Sequence, residues 1–491
     1  MAIQFESKDC LPFDFKSKNQ NLLDESMRRL CDYWYDVQSK RDADEDPIVS
    51  LQTSSFNEEI STRWWARRYI GNIHISIPKS RQGSYEQVEI SIRPRFGENF
   101  LLALIEDVYN IKAPKQDATS QTSYSNEWFS ALLRLLRRKM WIDKCAKANR
   151  YGLPRKTVKR EHKGVVLHGA IDVRRTTQSW MYDKEISTYT YEKEMDEQIG
   201  KILYEANKIL TKEAITFQQR KKTKTTPKDN KNSVLGFSLP PVVQDTINLL
   251  NSQYKGVIFD IRENDYRRIR YKSIYQSWKP LVDFSWDIIS GKQLRFNASE
   301  SITDCIFIDM AEIWEAFLRK KLGEAFSSDG WRVLSVEECH YGIYQDSFFK
   351  REIIPDIILQ KGDEYMVFDA KYKRMLGRKE DVDRTDLFQI HTYIQYVERC
   401  MGKVVLAGLL YPITDKKFKD SGKSLYHSTN LFGAEKGKEK EIRFIIDGIF
   451  CKEMDNDIID KSSIESQQEI IENNVAAMIN RIKKNIGEIT E

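Results

Sequence analysis

The stretch Ile353-Ile354-Pro355-Asp356-Ile357-Ile358-Leu359-Gln360-Lys361-Gly362-Asp363-Glu364-Tyr365-Met366-Val367-Phe368-Asp369-Ala370-Lys371 decides how this chain reads. Two β-branched, apolar runs flank a short polar turn, the pattern of a β-hairpin. Taking Gly362-Asp363 as a two-residue loop, with Gly first as a type II′ turn prefers, pairs Lys361 with Glu364. Counting outward then sets Asp356 opposite Asp369. Strand side chains alternate faces, so Lys371 shares the face of Asp369. Both runs are apolar on both faces, which predicts strands covered on each side, where unpaired aspartates are costly. Two carboxylates and an ammonium meeting at such a point suit a hard divalent cation such as Mg²⁺, which takes one or two carboxylates plus water and phosphate oxygens. A lysine beside that ion orients the attacking water and steadies charge on phosphorus.

The flanking sequence builds a setting for that hairpin. Within 307–326 the apolar stripe Phe307, Met310, Ala311, Trp314, Phe317, Leu318, Leu322 and Ala325 predicts a core-facing helix, with Glu315 at its edge and within reach of a site on the sheet. Downstream, Thr385 is positioned to cap a helix running through Met401, on which Gln389 and Tyr393, four residues apart, share a flank. The segment 403–412 reads as a strong strand. Helix, two strands, helix, strand is the order of an α/β/α core.

The 491 residues allow two to four domains, and 41% hydrophobic content is enough for real cores. With 78 Lys+Arg against 73 Asp+Glu, the net charge of +5 is mild, so any case for a polyanionic partner rests on local clusters. The seven cysteines are scattered, with neither a CxxC pair nor a zinc spacing, as expected of a reducing cytoplasm. No run approaches the ~18 apolar residues of a membrane span, and the N-terminus has no secretory pattern. Ser421-Gly422-Lys423-Ser424 echoes the end of a P-loop, but Lys417 stands where the first Gly belongs and no strand immediately precedes it, so it reads as a surface turn.

Upstream, residues 1–60 read as a polar N-terminal extension with one helix near 22–37. Strands are expected over 63–77 and 85–94, with Arg63, Arg67 and Arg68 among Trp64, Trp65 and Tyr69. Helices are expected over 99–111 and 126–147. The second concentrates Arg134, Arg137, Arg138 and Lys139, facing either DNA or solvent. An extended segment is expected over 163–175, a helix over 194–212, a basic loop over 214–236, and helices over 240–254 and 265–290. Ser462 and Glu465 mark the capped start of a C-terminal helix.

The Pro355-Asp356 and Asp369-Ala370-Lys371 pair matches the PD-(D/E)xK nuclease pattern. Together with Asp309-Met310-Ala311-Glu312-Ile313-Trp314-Glu315-Ala316-Phe317 and Asp386-Leu387-Phe388-Gln389-Ile390-His391-Thr392-Tyr393, it resembles the McrC nuclease subunit of McrBC-type restriction systems over roughly 300–450. Looser similarity covers Ile92-Arg93-Pro94-Arg95-Phe96-Gly97 and Gly169-Ala170-Ile171-Asp172-Val173-Arg174. The resemblance implies an α+β N-terminal region followed by an α/β/α PD-(D/E)xK restriction-endonuclease-like domain. The expected division is an extension at 1–60, a partner-docking and DNA-contacting region at 61–300, the nuclease domain at 301–450 and a C-terminal helix at 451–491.

It also implies a cytoplasmic, Mg²⁺-dependent endodeoxyribonuclease, with Mn²⁺ as a substitute, that cuts double-stranded DNA to leave 5′-phosphate ends. Its partner would be a hexameric, McrB-like AAA+ NTPase using GTP or ATP. Asp356 and Asp369 are the expected metal ligands, Lys371 orients water, and Glu315 and Gln389 support them. Lys373, Arg374, Arg137 and Arg138 are candidate DNA contacts. The alternatives are a free-standing repair nuclease and a catalytically silent DNA-binding scaffold.

Overall fold

In the six-stranded sheet at the centre of the chain's larger unit, hydrogen-bonded neighbours run Arg332–Val333, Ile357–Lys361, Glu364–Ala370, Lys403–Ile413, Arg443–Phe450 and Tyr426–Ser428. The computed structural model describes residues 3–13, 20–38, 47–56, 59–78, 85–109, 126–221, 239–293, 295–296, 300–301, 303–339, 341–343, 351–429, 442–453 and 464–487. The expected hairpin is there: Ile357–Lys361 and Glu364–Ala370 pair antiparallel with Lys361 opposite Glu364, and Gly362 takes the left-handed φ of 59° that the tight turn needs. Lys403–Ile413 and Arg443–Phe450 then extend the sheet in parallel.

Period-two alternation sorts the strand side chains onto two buried faces. Ile358, Val367, Ala407 and Leu409 pack against Ile390, Tyr393, Ile394 and Val397 of the Arg384–Cys400 helix. Residues of opposite parity, Ile357, Leu359, Met366 and Phe368, are fully buried too. The Met310–Ser327 and Ile464–Gly487 helices contact these strands without joining the first cluster, so helices cover both faces. At Gly448 a Cβ would stand 1.8 Å from the Tyr411 carbonyl oxygen, so only glycine allows the close pairing of 443–450 with 403–413.

The contacts divide the chain into two compact units, one of residues 1–133 and 296–491, the other of residues 134–295. In the first unit a second sheet orders Ile3–Lys8, Tyr85–Arg93, Tyr69–Pro78 and Thr303–Asp309. Ile3–Lys8 runs parallel to Tyr85–Arg93 with Phe5 opposite Ile90, so residues expected to form a polar extension are an integral edge strand. The second unit has a helical core in which Trp141, Trp278 and Leu281 are fully buried. A three-stranded sheet of Arg155–Gly164, Ile186–Met195 and Ala170–Ile171 carries the Val173–Asp183 helix.

Several expected boundaries move, each for a local reason. Residues 303–309 form a strand because they pair with Tyr69–Pro78, and the helix expected from 307 starts at Met310, where the Asp309 side chain caps it by accepting from the Ala311 N–H at 2.8 Å. The next helix begins at Arg384 instead of after a Thr385 cap, because Lys373 Nζ bridges Asp383 and Asp386 at 2.6 and 2.9 Å and organises the first turn. The strand expected over 63–77 is two, Glu59–Ala66 and Tyr69–Pro78. The extended segment expected over 163–175 gives way to the Val173–Asp183 helix, capped by Asp172.

The Glu197–Lys221 helix continues into the region expected to be a basic loop, since Gln218, Gln219, Arg220 and Lys221 are good helix formers. The helix expected over 265–290 is divided into Glu263–Arg267, a 3₁₀ turn at Ser273–Trp278, and Lys279–Gln293. The expected Ser462 cap lies outside the described residues.

The C-terminal helix is fastened by a buried ion pair: Arg481 donates to both oxygens of the fully buried Asp447 at 2.7–3.1 Å and to the Gly448 carbonyl at 2.9 Å. Arg481→Ala leaves that carboxylate buried without its partner, which costs about 3–5 kcal/mol. Urea denaturation should show a loss of that order, and Arg481→Lys a smaller one.

Candidate active site

The site stands where the hairpin strands and the following helix meet. Asp369, on the last turn-away of Glu364–Ala370, is 0% exposed, and the Lys371 ammonium lies 2.9 Å from its Oδ2. Asp356 sits one residue before the opposite strand, its Oδ2 accepting from the Ala370 N–H at 2.8 Å. That hydrogen bond brings the first carboxylate to the backbone beside the second. The Lys371 N–H donates to the Leu410 carbonyl at 3.0 Å, which continues the sheet through the lysine.

Helices supply the rest. Lys371 Nζ donates to Gln389 Oε1 at 2.8 Å, and Gln389 Nε2 donates to the Tyr393 hydroxyl at 2.6 Å, so the flank they share on the 384–400 helix locks the ammonium in place. Glu315, on the 310–327 helix, is half-buried, and its charge helps to raise the proton affinity of Asp356. The site residues expected from the sequence, Asp356, Asp369, Lys371, Glu315 and Gln389, are therefore brought together.

Two residues at the site escaped the sequence reading. Arg319, one helical turn from Glu315, donates to the Asp356 carbonyl at 2.6 Å and also to the Leu334 carbonyl, which anchors the segment entering the hairpin. Asp386 is buried, 3.9 Å from Lys371 Nζ, accepting from Lys373 Nζ at 2.9 Å and from the Tyr411 hydroxyl at 3.1 Å. Its spacing of three from Gln389 was the available signal, since such residues share a helix face.

The electrostatics agree with convergence. Burial raises the Asp356 carboxyl well above its ordinary 3.8, the charges of Asp369 and Glu315 raise it further, and Lys371 opposes them. Burial also raises the Tyr393 hydroxyl, with added contributions from Asp356, Asp369 and Glu315. Neither Asp369 oxygen has a hydrogen-bond partner of ordinary geometry among the described residues, leaving two buried acceptors with only the nearby ammonium to compensate them. Among the described residues no three or more His, Cys, Asp or Glu side chains gather as a metal cage. Mg²⁺ needs none, because it keeps several waters and uses one or two carboxylates, so the donor set fits it.

Of the candidate DNA contacts, Arg137 and Arg138 do not present themselves to a ligand. Arg137 pairs with Glu213 at 2.6 Å, and Arg138, 3% exposed, donates to Thr211 Oγ1 at 3.1 Å, because both turn onto the 197–221 helix. Lys373 pairs with Asp383 and Asp386, and Arg374 with Glu453 at 3.2 Å, so a phosphate would compete with existing partners for either.

A mixed α/β protein with two acidic side chains and a lysine clustered at one end of a sheet is thereby defined. The chain belongs to the family of McrBC 5-methylcytosine restriction system components, whose sequence profile matches residues 66–412. The resemblance carried by its motifs is thus borne out. Among solved structures it is similar to a chain of the refined half-complex from the tetradecameric assembly of Thermococcus gammatolerans McrB AAA+ hexamers with bound McrC. The identity is 14%, covering 96% of this chain and 100% of that chain, with a TM-score of 0.35. A chain of the cryo-EM structure of the Thermococcus gammatolerans McrBC complex is similar at 14% identity, over 66% of this chain and 88% of that one, with a TM-score of 0.29. No curated protein matches the chain.

Because the folded state raises the Asp356 pKa, the stability contributed by this group is full below 3.8 and is lost as pH rises through the folded value. Asp356→Asn removes the charge while keeping an acceptor for the Ala370 N–H. In metal-free buffer at pH 7 the variant should melt higher than the wild type, and the gap should close as pH falls towards 4, measured by thermal unfolding across a pH series.

Proposed function

We propose that this chain is the Mg²⁺-dependent DNA endonuclease subunit of an McrBC-like restriction complex, with a PD-(D/E)xK core that an AAA+ NTPase partner activates. The observation that carries this reading is the meeting of Asp356 and Lys371 at the fully buried Asp369, with both Asp369 oxygens left without a hydrogen-bond donor of ordinary geometry among the described residues. Asp356 and Asp369 hold the ion, and Glu315 lies close enough to share its field. Bound there, Mg²⁺ supplies Lewis-acid stabilisation of phosphoryl charge and a more acidic water.

The chain's own residues do the positioning. Lys371, fixed between Asp369 and Gln389, orients the water for in-line attack on phosphorus and steadies the charge that develops on the phosphoryl oxygens. Tyr393 and Asp386 hold the Gln389 and Lys371 arrangement from the helix side. Packing on both sheet faces keeps bulk water away from the Asp369 carboxylate, where electrostatic interactions gain strength.

A separate observation supports the partner. In the second unit the sheet and helix over 155–195 expose a dense set of large apolar side chains, among them Val165 at 81%, Val166, Leu167, Trp180, Met181 and Tyr182 at 88%. An apolar surface of this kind marks a protein interface. The chain carries no P-loop in its sequence, so nucleotide hydrolysis belongs to the other protein, and this surface is where we place its docking.

Plasmid cleavage tests both halves. With Mg²⁺, an McrB-like AAA+ NTPase partner and its nucleotide, the wild type should cut, and Asp369→Ala should be inactive while folding normally. Lys371→Met should lose about 10²–10³ in rate, the scale of removing one transition-state donor. The double variant Trp180→Ala, Tyr182→Ala should cut only as the isolated chain does and fail to co-elute with the NTPase, since aromatic anchors dominate interfaces. Efficient site-specific cutting by the chain alone would favour a free-standing nuclease.

A further inference from the structure

Arg95 is a cation with 0% exposure in the first unit, set beside the equally buried Asp9. Replacing a whole buried ion pair by apolar side chains of similar volume is often neutral or stabilising, so the retention of Arg95 beside Asp9 calls for a further explanation. Its Nε and Nη1 have no hydrogen-bond partner among the described residues. Asp9, also 0% exposed, lies 3.8 Å away and spends its Oδ1 on the Arg95 backbone N–H at 2.6 Å. What the guanidinium does engage is specific: it stacks 4.6 Å from the Phe96 ring centre and 4.7 Å from that of Tyr372, and Nη2 donates to the Lys373 carbonyl at 3.0 Å.

Tyr372 and Lys373 directly follow Lys371. Alternation turns the Tyr372 ring to the side opposite Lys371, where it meets the Trp314 ring at 6.2 Å. Trp314 is the neighbour of Glu315, and its indole N–H reaches the Leu410 carbonyl at 3.4 Å, the same oxygen that the Lys371 N–H uses at 3.0 Å. The Tyr372 hydroxyl lies beside Asp9, close enough for each to perturb the other's proton affinity though without a hydrogen bond of ordinary geometry. The loop after Tyr85–Arg93 thus grips the chain just beyond the lysine, and through one aromatic contact also the helix that bears Glu315.

We propose that Arg95 is a positioning residue for the candidate active site. It sets the strand end carrying Lys371, and through Tyr372 and Trp314 the helix carrying Glu315, so the N-terminal sheet is a working part of the nuclease centre. This rests on the nuclease reading above. Fully buried, Arg95 is out of reach of DNA, so its loss slows the chemical step and leaves substrate binding alone.

The test uses the full chain with its NTPase partner, Mg²⁺ and plasmid DNA, comparing wild type, Arg95→Met and Arg95→Lys. In Arg95→Met, kcat should fall at least about tenfold, as small misplacements of catalytic groups do, with KM and DNA affinity within about twofold of wild type. Arg95→Lys should recover part of the loss. Amide hydrogen exchange should show lower protection over 371–375 and unchanged protection over 357–361. A folded Arg95→Met with wild-type kcat, with a rise in KM alone, or with unchanged exchange over 371–375 overturns the proposal. If Arg95→Met does not fold, Tyr372→Leu decides in its place: a loss of kcat supports the role, and a wild-type kcat overturns it. If the wild type itself fails to cut, the nuclease reading falls, and the exchange comparison still decides whether Arg95 orders the segment after Lys371.

Discussion

Two carboxylates held together in a place poor in water form the constraint around which the larger unit is arranged. Asp369 is fully buried on the sheet face that also bears Val367, and Asp356 is tied to the backbone beside it through the Ala370 N–H. Burial and, after it, the charge of Asp369 both disfavour ionisation of Asp356. The Lys371 ammonium, 2.9 Å from Asp369, offsets this charge directly. A fold that maintains such a cluster spends stability on a local charge imbalance, and that imbalance is what a divalent cation would relieve.

Holding the cluster needs attachments from every side. Arg319 fixes the carbonyl of Asp356, Gln389 and Asp386 fix the ammonium, and the Leu410 carbonyl joins the backbone of Lys371 to the indole of Trp314. The attachments come from the 310–327 helix, the 384–400 helix and the 403–413 strand, so none of them alone makes the site. The first four-stranded sheet takes part as well, since its strand Thr303–Asp309 leads straight into the helix that carries Glu315, and Arg68 pairs with the capping Asp309 at 2.9 Å. Burial raises the Asp309 carboxyl to about 6 even against that arginine.

What the sequence made legible was what local rules determine. A two-residue turn with glycine first allows one register, and that register alone aligns Asp356, Asp369 and Lys371. The helical stripes located Glu315 and Gln389 for the same reason. Arg95, Arg319 and Asp386 were not singled out as site residues, because their meaning lies in partners 278, 37 and 25 residues distant. The basic helix misled in the other direction: Arg137 and Arg138 look like a nucleic-acid face in sequence, yet their acceptors, Glu213 and Thr211, lie on a helix about 75 residues on. Residues 3–8, expected as part of a polar extension, and 307–309, expected to be helical, are sheet because pairing with a distant strand, not their own pattern, makes them so.

The central claim is that Asp356 and Asp369 form a divalent-cation site, and binding of the ion itself tests it without recourse to cleavage. Mn²⁺, followed by electron paramagnetic resonance during titration into the full-length chain, should bind saturably at one site from which Mg²⁺ displaces it. Asp356→Asn and Asp369→Asn, each verified as folded, should abolish that binding. Equal Mn²⁺ binding by either variant and the wild type would contradict the account.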